Sequence, residues 1–188
     1  LENGDYEEAL YYNNIVLNAR ESQIPPDYDK IRISNSRAAS IYCRLNNYEK
    51  AIYHSEKSRE LALKLYGKEA VEYARSLQNT SVYYLDKGDV VQALEYTKKA
   101  YNNSFGDKYD LAHNLATIYS QLNYLDSCYF YAKEAWEMSK DLYLKNLQQL
   151  SLENRFHYVC SNRVSFGLTL PTDLLLSHGN SEELCRLA

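Results

Sequence analysis

One small residue recurs along this chain at a fixed offset, and that recurrence limits the fold more than any other feature. Ala9 in GDYEEAL, Ala51 in NNYEKAI and Ala93 in GDVVQAL stand in equivalent strings 42 residues apart. In NYLDSCY, Cys128 takes the same place 35 residues after Ala93. Self-similarity at such a period marks stacked supersecondary units, none of which can bury its apolar face alone.

The equivalence extends to both sides of the small residue. Seven residues later stand Val16, Ser58, Ala100 and Ala135; nine residues earlier stand Tyr42, Tyr84 and Tyr119; twelve earlier, Ala39, Ser81 and Ala116. Small residues are needed where two backbones approach, and a ring can fill the gap beside them. Each copy therefore reads as a helix A followed by a helix B, and the first copy contains helix B alone, beginning near Asp5.

Local chemistry supports helices independently. Tyr48, Ile52, Leu61 and Leu65 keep apolar side chains at helical spacing, and Gly67 follows where that helix should end. Gly88 and Gly4 are expected in turns, where a left-handed residue costs least. Pro25 and Pro26 mark a boundary, because proline cannot continue a helix. Twenty tyrosines stand against four phenylalanines, and there are only six glycines and three prolines, so the interior is expected to be built from amphipathic rings in long helices.

This pattern resembles the tetratricopeptide repeat family over roughly residues 4–145. The resemblance implies an all-α, right-handed superhelical solenoid of antiparallel helix pairs. Its parts would be a partial repeat at 1–22, three repeats over 27–145 and divergent capping or linking helices over 146–188. Steps longer than the family's usual repeat resemble the longer-helix variant of kinesin light chains, since eight added residues make about two helical turns. The proline usual near the end of each copy is missing.

The resemblance also implies a binding face on the A helices. Carried over residue by residue, its lining is Ile33, Ser36, Ser40, Cys43 and Arg44 in the second copy, then Arg75, Gln78, Val82, Leu85 and Asp86 in the third. In the fourth it is Asp110, His113, Thr117, Ser120 and Gln121. For each of them the alternative is plain solvated surface. The face lacks the lysine and arginine clamp with which some family members hold a terminal carboxylate. A protein or peptide segment is the implied partner.

A second resemblance concerns the layout. Tyrosine-rich repeats followed by NLQQLSLENRFHYV look like the region upstream of the CHAT protease domain in bacterial multidomain proteins. In that arrangement the catalytic histidine and cysteine belong to a downstream domain, and this chain is its sensor or docking arm. The start at Leu1, without methionine or an apolar leader, is likewise read as an excised piece of a longer polypeptide.

Composition and motifs narrow the remaining classes. A net charge of -4 and a pI near 5.6 argue against nucleic acid or an anionic membrane as partner. No apolar run is long enough to span a bilayer. Cys43, Cys128, Cys160 and Cys185 lie far apart with no CxxC pair, which favours a reducing, cytoplasmic setting over a disulfide framework or zinc site. LLLSHG at 174–179, followed by Cys185, looks like a cysteine-protease histidine, but Cys185 falls only seven residues past His178 in the helix-like SEELCRLA, where a dyad needs separate strands. His54, His113 and His157 have no carboxylate or cysteine at ligand spacing, and adjacent acids such as Glu7 and Glu8 point to different sides of a helix. There is no phosphate loop, GxSxG or HExxH. The reading is a non-enzymatic binding scaffold without metal or cofactor, and the alternative is a structural module that forms a homo-oligomer by stacking its repeats.

Overall fold

A computed structural model describes residues 3–103 and 108–149. Seven helices account for nearly all of them: α1 (Asn3–Glu21), α2 (Tyr28–Arg44), α3 (Tyr48–Tyr66), α4 (Val71–Lys87), α5 (Val90–Asn103), α6 (Tyr109–Gln121) and α7 (Leu125–Gln149). No strand occurs among the described residues. The segment read from the sequence as capping or linking helices lies outside them beyond Gln149, and His157, Cys160, His178 and Cys185 go with it. The chain divides into two compact units at Gly106, with α1–α5 in the first and α6 and α7 in the second.

Side-chain caps start α2, α3 and α5. Asp27 accepts a hydrogen bond from the Lys30 amide, Asn47 from the Lys50 amide and Asp89 from the Gln92 amide, each closing one of the open donors of a helix N-terminus. Helices α2, α4 and α6 are the A helices, and the turns that lead from them into α3, α5 and α7 are built alike. The residues Asn46, Gly88 and Asn123 have φ of 58°, 88° and 59°. Each is followed by a residue whose amide reaches back to a tyrosine carbonyl: Asn47 to Tyr42 at 2.8 Å, Asp89 to Tyr84 at 2.8 Å and Tyr124 to Tyr119 at 2.9 Å. That is the Schellman closure of a helix, with glycine or asparagine in the left-handed place. Gly4, expected in such a turn, lies inside α1 instead. Asn46, Gly88 and Asn123 each follow an A helix, and no such helix precedes Gly4 among the described residues.

In the first unit each helix packs on the next, and α2 also touches α4; in the second, α6 packs on α7. The contacts fall where the sequence places small residues. Ala39, Ala51, Ser81, Ala93 and Ala100 are fully buried in the first unit, as are Ala116 and Cys128 in the second. Leu77, Leu115 and Ile118 are the large aliphatic side chains fully buried beside them. The rings occupy a different place from the one expected of them. Among the described tyrosines only Tyr83 and Tyr119 are buried, whereas Tyr11, Tyr12, Tyr28, Tyr53, Tyr66 and Tyr124 are exposed.

Many of the partly buried rings serve as stacks between A and B helices. Tyr42 stacks on His54 with centroids 5.3 Å apart, Tyr84 on Tyr96 at 5.3 Å and Tyr119 on Tyr131 at 5.6 Å. The B-helix member always stands three residues after the buried small residue, at 51, 93 or 128. An offset stack of this kind adds about 0.5–1.5 kcal/mol beyond the area it buries.

The histidine in this series responds to pH. His54 Nδ1 lies 2.9 Å from Asn35 Oδ1, and Asn35 Nδ2 donates to the Ile31 carbonyl, so the Asn35 oxygen accepts the imidazole proton. Burial first, then the charges of Lys57 and Lys50, hold the His54 pKa below its ordinary 6.5. The unfolded chain therefore takes up a proton that the folded one refuses, so stability is complete above pH 6.5 and falls as pH drops through it. Thermal unfolding should show a larger loss of melting temperature between about pH 7.5 and 5.5 for the natural chain than for His54→Tyr, which carries the residue found at 96 and 131.

Candidate protein-binding surface

The residues proposed for a partner lie on the A helices, and they range from exposed to partly buried. On α2, Ser40 and Arg44 are exposed, and Ile33, Ser36 and Cys43 partly buried. On α4, Arg75, Val82 and Asp86 are exposed, and Gln78 and Leu85 partly buried. Because α2 and α4 touch, these residues form one surface within the first unit. The α6 residues belong to the second unit, where Asp110, Ser120 and Gln121 are exposed and His113 and Thr117 partly buried.

A polar seam joins α2 to α4. The Cys43 thiol donates to Asp86 Oδ2 at 3.0 Å. Burial, and then this acidic neighbour, push the thiol up to about 12, which keeps it protonated and unreactive at neutral pH. Beneath it lies Tyr83, whose hydroxyl is paired with Ser40 and is also pushed up to about 12, chiefly by burial. The seam links the two A helices, and Arg44 and Arg75 are exposed cations of this face. On α6, Thr117 Oγ1 donates to the His113 carbonyl at 3.1 Å, and the His113 ring stacks on Tyr109. The hydroxyl proton of Thr117 is thus used inside the helix.

Sequence reasoning missed one cluster entirely. Glu56 on α3 accepts from Arg59 Nε at 2.7 Å and forms an ion pair with Arg59 Nη2 at 2.6 Å. Tyr96 on α5 neighbours the same carboxylate, and Tyr73 on α4 neighbours Arg59. Burial, and then Glu56, raise Tyr96 above its ordinary range. The cluster ties three consecutive helices of the first unit together. Its only sequence signal was an i,i+3 acid–base pair, which resembles Asp29 with Arg32 and many solvated pairs.

Among the described residues, no three His, Cys, Asp or Glu side chains gather as metal ligands would, and no helix is long and apolar enough to cross a membrane. The arrangement of caps, left-handed turns, small-residue contacts and ring stacks defines an all-α helical-repeat protein. Residues 29–104 match the family model described as tetratricopeptide repeat. No curated protein matches the chain in sequence. Among solved structures, the chain is similar to BtubC (BKLC) from P. vanneervenii, with a TM-score of 0.68 and 14% identity over 97% of this chain and 75% of that one. It is also similar to a putative kinesin light chain of Podosopora anserina with nearly identical TPR-like repeats, with a TM-score of 0.62 and 16% identity over 98% of this chain and 84% of that one. A substituted form of the latter gives 0.57 and 14% over 96% and 90%. At these identities the likeness is one of fold.

Proposed function

We propose that the chain is a protein- or peptide-binding scaffold that holds a partner segment on the exposed faces of its A helices. The observation that carries this reading is the surface of α2 and α4, which offers Ser36, Ser40, Arg44, Arg75, Gln78 and Val82 on a frame fixed by the Cys43–Asp86 contact. A preformed surface avoids much of the ordering cost of association, so several modest contacts suffice. The finer reading is that the scaffold is the regulatory or substrate-recognition arm of a larger CHAT-type cysteine protease. Its support is the sequence resemblance of the repeats and of NLQQLSLENRFHYV. The reaction would then belong to that downstream domain, and this chain would contribute recognition.

Arg44→Ala, Gln78→Ala and Gln121→Ala should each weaken capture of the partner by about 2- to 30-fold, the range of 0.5–2 kcal/mol per contact, while the helical circular dichroism stays unchanged. Equal capture by all three variants would remove the A-helix faces as the site. A second reading, a homo-oligomer formed by stacked repeats, is favoured by one observation, the face of α1 that no described helix covers. Light scattering separates the two: a dimer that dissociates when residues 1–22 are deleted supports the second.

A further inference from the structure

Helix α4 carries exposed charges of opposite sign toward the two ends of one stripe. Arg75, Gln78, Val82 and Asp86 follow one another at steps of three and four residues, so they share a face of the helix. Arg75 and Asp86 are both exposed, and the 11 residues between them put them about 16 Å apart along the axis. Neither forms an ion pair among the described residues. Glu72 stands one turn before Arg75 without pairing with it, and Lys87 beside Asp86 pairs instead with Glu49 on α3 at 2.7 Å. Of the A helices described, α4 alone has this pair of charges, since the same places hold Ile33 and Arg44 on α2 and Asp110 and Gln121 on α6.

Between the two charges the side chains are neutral, and their hydrogen-bonding groups are open. Gln78, and Ser36 in the equivalent place on α2, make no side-chain hydrogen bond among the described residues. Other polar side chains of these helices are used internally. Ser76, Thr80, Ser81, Thr97 and Thr117 each donate to a carbonyl of their own helix. The Cys43 thiol on Asp86 links α2 to α4, and Ser36 and Gln78 stand about two turns before that contact on their respective helices.

We infer that this stripe binds an extended peptide segment carrying an acidic and a basic residue about five residues apart. The charges set its ends, with the acid on Arg75 and the base on Asp86; an extended chain rising about 3.3 Å per residue covers the interval in about five residues. Ser36 and Gln78 set its conformation. A helical ligand has already paired its own N–H and C=O groups, whereas an extended one presents them, and an amide side chain can both donate to and accept from them. Val82, 38% exposed, adds an apolar contact between the two charges. The inference rests on the A-helix reading proposed above and gives its partner a conformation and a charge pattern.

The test is a selection from phage displaying random peptides of about ten residues on the immobilised full chain, a length that covers the interval with residues to spare. Enriched sequences should carry an acid and a base about four to six residues apart several-fold more often than the starting library. One such peptide, synthesised with a fluorescent label, should bind Arg75→Glu about tenfold more weakly and recover when its acid is changed to lysine. Asp86→Asn, which keeps an acceptor for Cys43, should weaken it as well. Both positions are exposed, so the circular dichroism of these variants should match the natural chain. Enriched peptides that lack the charge pair, or that ignore Arg75→Glu but are lost with Gln78→Ala, overturn the inference and leave the A-helix faces standing as a binding site. Peptides indifferent to all three substitutions overturn both, and absence of any enrichment overturns the inference.

Discussion

Leu77→Ala is expected to destabilise the first unit by about 2–5 kcal/mol, the range for removing a buried leucine and leaving a partly collapsed cavity. Leu77 on α4 is 1% exposed, and among the described residues of that unit it is the one large aliphatic side chain that is fully buried. The remaining members of that set there are small or polar, so few neighbours can move in to fill the space. A whole domain is held by only about 5–15 kcal/mol, so the variant gives up a large part of the total. Leu65→Ala, at a position 38% exposed, serves as its control and should lie within about 1 kcal/mol of the natural chain. Urea denaturation followed by far-ultraviolet circular dichroism compares the two.

The helix pairs, their order and most of their ends could be read in the sequence because these depend on local rules. A left-handed residue ends α4 at Gly88, and asparagine or aspartate starts α2, α3 and α5, whatever packs above them. The small positions were also legible, since Ala39, Ala51, Ser81, Ala93, Ala116 and Cys128 recur in register and all prove buried. Periodicity assigns a residue to a face, however, and does not say which side chains meet across two helices. The tyrosines of helix A were visible, but the stacking partners at 54, 96 and 131 were not, since one of them is a histidine. The Glu56–Arg59 pair failed for the same reason, its burial being set by Tyr73 and Tyr96 on other helices. Gly4 misled because glycine permits a turn without requiring one.

The same distinction applies to the candidate binding face. Register gives the positions on α2, α4 and α6 that the family resemblance implies as a binding face. It does not give the contact of Cys43 with Asp86 across that face, because the contact depends on the distance between α2 and α4.

The second large effect concerns the small residues themselves. Ala51→Leu and Ala93→Leu each force three extra carbons into a helix contact that is already closed, and overpacking of this kind costs about 1–3 kcal/mol. Ala9 occupies the equivalent place in the sequence but is exposed, so Ala9→Leu meets no opposing backbone and should lie within about 0.5 kcal/mol of the natural chain. Leucine is nearly as good a helix former as alanine, so propensity does not obscure the comparison.

That matched set tests most directly the claim on which the whole account rests, that the recurring small residue marks where helix A meets helix B. Equilibrium urea unfolding of Ala9→Leu, Ala51→Leu and Ala93→Leu should give a midpoint unchanged for the first and clearly lowered for the other two. Equal midpoints for all three, or the largest loss at Ala9, would contradict it.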